Sequence, residues 1–125
     1  MERIIKFRGW NTKNDKWIYG YYFVNRGEPF IVEDGILTNP FLTADDFKVE
    51  ENTIGQFTGL TDALGNDIYE GDVLSDGCTV EWHDQGFVLH NKFGHFPLWE
   101  SNIDENVVVW NIYKKGNERY RNIQR

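Results

Sequence analysis

A chain of 125 residues is the size of one domain, and its 16% aromatic content supplies a core that needs no metal or disulfide staple. The formal net charge of −7 is concentrated: residues 27–112 hold two basic against 17 acidic side chains, a balance of −15 that repels phosphate backbones. A single cysteine, Cys78, excludes an intramolecular disulfide, and the longest apolar run, 107–110, is far shorter than the roughly 20 residues of a membrane-spanning helix.

Strand signals dominate from the start. Residues 3–10 and 16–24 flank the polar stretch 11–15 and predict a hairpin with a longer loop. In the second segment Trp17, Tyr19, Tyr21 and Phe23 alternate with Ile18, Gly20, Tyr22 and Val24. Both faces are apolar or aromatic, so this strand is expected to be covered on both sides. Residues 30–33 and 36–38 flank Asp34-Gly35, a pair suited to a two-residue hairpin whose central positions need positive φ. Thr43, three residues before Asp46, predicts one capped helical turn, and residues 42–51 lack the periodicity of a long helix.

A second block opens at Thr53. Ile54, Phe57 and Leu60 are its apolar anchors, while Gly55 and Gly59 predict a bulge or a close backbone approach. Residues 62–67 predict a turn around Gly65-Asn66, and Glu70-Gly71-Asp72 a tight corner. Glycine permits the bend there, and the carboxylates of Asp62 and Asp72 are expected to accept local backbone N–H groups. In the strand 79–83, Val80 and Trp82 are expected inward and Thr79, Glu81 and His83 outward. Residues 84–86 turn the chain into a strand at 87–90, a loop through Gly94 and Pro97 reaches Leu98-Trp99, and 107–113 forms the closing strand. The whole reads as mainly β with little helix. An N-terminal antiparallel sheet over 1–52 is followed by a small SH3-like β-barrel over 53–125 that ends in a basic tail.

Ile5-Lys6-Phe7-Arg8-Gly9-Trp10 with Trp17-Ile18-Tyr19-Gly20, the block from Thr53 to Asp62, and Gly65 with Ile68-Tyr69-Glu70-Gly71-Asp72-Val73 together resemble the YopX family. The terminal Val109-Trp110-Asn111-Ile112-Tyr113 is similar to that family's closing strand, with Trp110 where the family often has glycine. The tail 114–125 departs from the family's common ending. These are small proteins encoded by bacteriophages and prophages. The resemblance implies a phage or prophage product in the bacterial cytoplasm, mainly β and self-associating, and it carries no established activity.

No residue pattern demands a reaction. Cys78, His83, His90 and His95 are the only soft or imidazole ligands, without a Cys-x-x-Cys or His-x-x-x-His pair. His90 and His95 flank a glycine-containing loop across which they can meet, yet the expectation is scattered surface histidines, no metal and no cofactor. Calcium is excluded at 72–83, because Leu74 and His83 stand where oxygen donors belong. Asp76 and Glu81 near Cys78 predict an inert thiol. Glu81, His83 and Asp84 are candidate acid/base groups on a strand face that also reads as ordinary solvated surface.

The ends oppose the acidic body. Residues 1–26 carry six basic against two acidic side chains, and 113–125 carry five against one, +4 in each case. Lys114, Lys115, Arg119 and Arg121 surround Tyr113 and Tyr120, a combination suited to partner contact or to base stacking on a nucleic acid, with Arg8 and Trp10 as an extension. Gly55, Gly59, Asp62, Gly65, Gly71 and Asp72 are read as architecture. The leading expectation is a cytoplasmic, non-enzymatic interaction module that forms homo-oligomers or binds a host or phage protein, with no signal peptide and no membrane partner. A nucleic-acid-associated protein using the C-terminal arm and an unrecognised hydrolase or transferase are the alternatives.

Overall fold

The hairpin at the N-terminus sets the pattern of the chain. β1 (Phe7–Asn11) and β2 (Lys16–Asn25) pair antiparallel from Phe7↔Gly20 to Asn11↔Lys16, and Asp15 at φ 53° completes the four-residue loop. The computed structural model of this protein describes residues 4–33, 41–98 and 105–116. The Asp34-Gly35 hairpin and Trp99 lie outside them. Among the described residues all strand pairings are antiparallel, and the only helical pieces are two 3-10 turns, Ala44–Asp46 and Glu51–Thr53. The chain divides into two compact units, Met1–Gln56 and Phe57–Arg125, and passes from one to the other within β4 (Gly55–Thr61).

In the first unit β2 serves two partners in succession. Its first half pairs with β1, and Tyr21–Asn25 pairs with β3 (Glu28–Val32) through a tight turn at Arg26 and Gly27, φ 53° and 80°. Gly20 stands at the handover with φ 150°. A Cβ there would lie 2.2 Å from the carbonyl oxygen of Val32, so only glycine lets β3 approach. Phe7↔Gln56 and Arg8↔Gly55 add the start of β4 on the other side of β1. The outer edge of β3 is covered by residues 47–49: Ile31 N–H donates to Phe47 O at 2.9 Å and Val49 N–H to Pro29 O at 3.2 Å. Ile18, Ile31 and Val49 form the core, with Phe7 and Ile54 packed against it.

Buried polar side chains fasten the loops to this sheet. Asn11, fully buried, donates from Nδ2 to Asp45 O (3.0 Å) and Lys48 O (2.8 Å), and its Oδ1 accepts from Asn14 N–H. Thr53 Oγ1 accepts from Trp10 N–H and donates to Glu50 O. The first 3-10 turn is capped as the Thr43/Asp46 spacing predicts, Thr43 N–H donating to Asp46 Oδ2 at 2.8 Å. That bond, with Asn14 and Lys13 beside it, holds the Asp46 carboxyl well below the usual carboxylate range.

The second unit begins as β4 pairs with β5 (Asp67–Tyr69), with a register shift between Phe57 and Thr61 where Gly59 takes φ 88°. β6 (Asp72–Leu74), β7 (Thr79–His83), β8 (Gly86–Asn91), β9 (Gly94–Pro97) and β10 (Val108–Asn111) form a sheet in the order β10-β6-β7-β8-β9. Ile68, Leu74, Cys78, Val80, Leu89 and Val108 make its core. Burying each large aliphatic chain contributes about 1.5–3 kcal/mol.

Asp62 organises the turn before β5. Its Oδ1 accepts from the N–H groups of Leu64 and Asn66, and Oδ2 from Val108 N–H, each at 2.9 Å. Asp72 Oδ2 accepts from Tyr69 N–H at 2.8 Å across the Gly71 corner, where a Cβ would press 2.7 Å from the Tyr113 ring.

Three expectations are corrected. Beyond its buried Ile18, β2 is not covered on both sides: Tyr21, Phe23 and Val24 are 59%, 46% and 57% exposed. Trp82 shares the face of the buried Val80 but is itself 51% exposed. It packs edge-on against Phe87 at the tip of the β7–β8 hairpin, beyond the reach of the inner layer. The loop through Gly94 and Pro97 is a strand. Asn91 Oδ1 ties back Phe93 N–H at 2.8 Å, Gly94 takes φ 132°, and Pro97 ends the edge where a missing N–H is harmless.

Candidate functional site

Two surface arrangements stand out, one in each unit. In the first, β1 ends its pairing at Gly20, so among the described residues no strand lines Tyr21–Asn25 on the side away from β3. Among the described residues that stretch is a sheet edge, with large side chains on both faces: Tyr21 and Phe23 on one, Tyr22 and Val24 on the other. Phe23 stacks on Phe30 at 5.4 Å, and Tyr22 leans on Phe7 at 5.4 Å, so the rings are held in place. Tyr21 to Asn25 carry no charge, in a chain of net charge −7.

The second arrangement lies on the outward face of β7, β8 and β9. His90 and His95 are direct cross-strand partners, and Glu81 sits diagonally from His90 on β7. His90 Nδ1 lies 2.7 Å from Glu81 Oε2, and His95 Nε2 lies 3.4 Å from Glu81 Oε1. The His95 ring stacks between those of His83, at 3.9 Å, and His90, at 4.5 Å. One donor atom from each of Glu81, His90 and His95 falls within 4.8 Å of the others. The histidines are therefore a cluster rather than scattered, a correction whose cause is the unforeseen strand β9. Asp84 contacts His83 Nε2 at 3.5 Å and is otherwise exposed in the turn.

The remaining sequence-selected residues are placed as follows. Lys114 is exposed and Lys115 half-buried in a turn built on Asn111, which accepts from Tyr113 and Lys115 N–H groups and donates to Lys115 O. Arg119, Arg121 and Tyr120 lie outside the described residues. Arg8 and Trp10 are buried, Arg8 with its guanidinium 4.5 Å from the Trp17 ring centre, so they present no surface to a nucleic acid. Cys78 is buried in the core, where desolvation pushes its thiol up and Asn91 Nδ2 lies 3.5 Å from Sγ. Shallow clefts occur in the first unit beside Lys16, Glu33 and Asp46, and beside Lys13, Asp45 and Glu50. No helix among the described residues is long and apolar enough to cross a membrane.

These features define a small protein of two antiparallel sheets with an aromatic edge strand among the described residues and a histidine-carboxylate cluster. The family model described as YopX protein matches residues 6–117, and the chain belongs to the YopX family. No curated protein matches it.

Proposed function

We propose that this chain is a non-enzymatic interaction module, encoded by a bacteriophage or prophage and acting in the bacterial cytoplasm, that self-associates through the open edge of β2. The observation that carries this reading is the Tyr21–Asn25 stretch, which among the described residues has no strand on the side away from β3 and exposes aromatic side chains on both faces. Unprotected edges of this kind pair with another chain, and proteins that avoid it place lysine, proline or a bulge there. None of these stands between Tyr21 and Asn25.

A second copy is the occupant because the edge is neutral. Two chains of net charge −7 repel over most of their surfaces, whereas two copies of this stretch meet antiparallel about Phe23 with no like charges opposed. The second unit takes an SH3-like barrel in this reading, supported by its short strands and the meander β6-β7-β8-β9.

Light scattering on size-exclusion fractions, at low and at high salt, tests the proposal. A dimer or larger species is expected, and Tyr21→Lys with Val24→Lys, both at exposed positions, is expected to shift it to monomer. A wild-type protein that is monomeric at both salt concentrations, or a double variant with unchanged mass, sinks the idea.

A further inference from the structure

We infer that Glu81, His90 and His95 form a site for a divalent transition-metal ion of the zinc class, in the second unit and independent of the self-association edge. The donor set is two imidazoles and one carboxylate, which suits zinc and its neighbours and not magnesium or calcium, whose sites are built from oxygen. Two donors each about 2.1 Å from one ion lie about 3.4 Å apart in a tetrahedron. The separation of His95 Nε2 from Glu81 Oε1 is 3.4 Å, and the donor atoms of all three residues already lie within 4.8 Å of one another. Three strands of one sheet fix their backbones, through the pairs His90↔His95 and Glu81↔Val88, so the ligands are brought together by register.

One rearrangement accompanies binding. The imidazoles of His90 and His95 stand nearly parallel, 16° apart, whereas a shared ion lies in the plane of each ring that binds it. Both side chains are partly exposed, at 42% and 35%, so the rings are free to rotate about their side-chain bonds without disturbing the core. The ion replaces the contacts that Glu81 now makes to each ring. His83 is not a ligand in this assignment: it stacks on His95 from the other side, with Nε2 3.5 Å from Asp84. The fourth position is left open to water. Two neutral imidazoles and one carboxylate leave a charge of +1 on the occupied site, and residues 27–112, at −15, supply a field that favours it.

The test uses the tag-free full chain, stripped with chelator and titrated with Co²⁺ and then Zn²⁺. One equivalent is expected to bind, with the visible spectrum of a four-coordinate Co²⁺ ion that Zn²⁺ displaces. Changes that only touch residues behind a ligand weaken metal sites about 10–100-fold, so His90→Gln and His95→Gln are each expected to cost at least about a hundredfold. His83→Gln is expected to stay within about threefold. In the unaltered protein, Zn²⁺ should move the ring NMR signals of His90 and His95 far more than those of His83. Absence of binding in wild type, retention in the double variant His90→Gln/His95→Gln, or an equal loss in His83→Gln would each overturn the assignment.

Discussion

Asn11 shows what a single residue does here. A polar side chain in the middle of an aromatic hairpin reads as a turn residue, and its neighbours Thr12 to Asp15 do form the loop. The structure instead buries Asn11 completely and spends all of its side chain on backbone groups: it donates to Asp45 and Lys48 carbonyls and accepts from Asn14 N–H. Those carbonyls belong to the segment that covers the edge of β3, so one amide pins the 3-10 turn and its flank to the sheet. Asn11→Ala removes all three of these part-buried bonds, and is expected to cost about 2–3 kcal/mol. Urea titration followed by tryptophan fluorescence measures this, and a loss below about 0.5 kcal/mol would show that water replaces the amide.

At the scale of elements, β2 is decisive. Its alternation of rings predicted a strand, and it is one, but the prediction that both faces are covered fails after Gly20. Alternation reports which side chains share a face and is silent on what packs over that face. Gly20 lets one strand serve two partners, and its φ of 150° and the 2.2 Å approach of Val32 O to a built Cβ leave no room for alanine. Gly20→Ala is therefore expected to break the β2–β3 handover and to destabilise by at least about 2 kcal/mol. Amide exchange should show protection falling first along Tyr21–Asn25 and β3; uniform protection loss across both units would contradict the local origin.

At the scale of the whole molecule, each unit depends on a carboxylate whose folded form prefers to be ionised. Asp46 in the first unit is held low by Thr43 N–H, Asn14 and Lys13. For Asp62 in the second, burial alone would push the carboxyl up, but donors from Val108, Asn66 and Leu64 together outweigh it and bring it below its ordinary value. A folded carboxyl titrating below its unfolded value, roughly 3.9 for Asp, contributes stability that is complete above that value and is lost as the pH falls through the folded one. Thermal melts are thus expected to hold level from neutral down to about pH 5 and to fall below about pH 4. Asp62→Asn should flatten part of that acid slope, and a slope equal to wild type would remove Asp62 as its source.

Much of this protein follows from local rules. Alternating aromatic residues, glycines at corners and a threonine three residues before an aspartate determine strands, turns and one capped turn, because each depends on backbone geometry within a few residues. The family was legible for the same reason, being carried by contiguous blocks such as Thr53 to Asp62. Where strands stop covering one another was not. Where β1 leaves β2, at Gly20, depends on how far β1 runs, and the meeting of Glu81, His90 and His95 depends on β9, four residues that read as a loop. Residues far apart in the chain come together only through pairing register, which is settled by the sum of contacts over a sheet, and that information belongs to the tertiary structure.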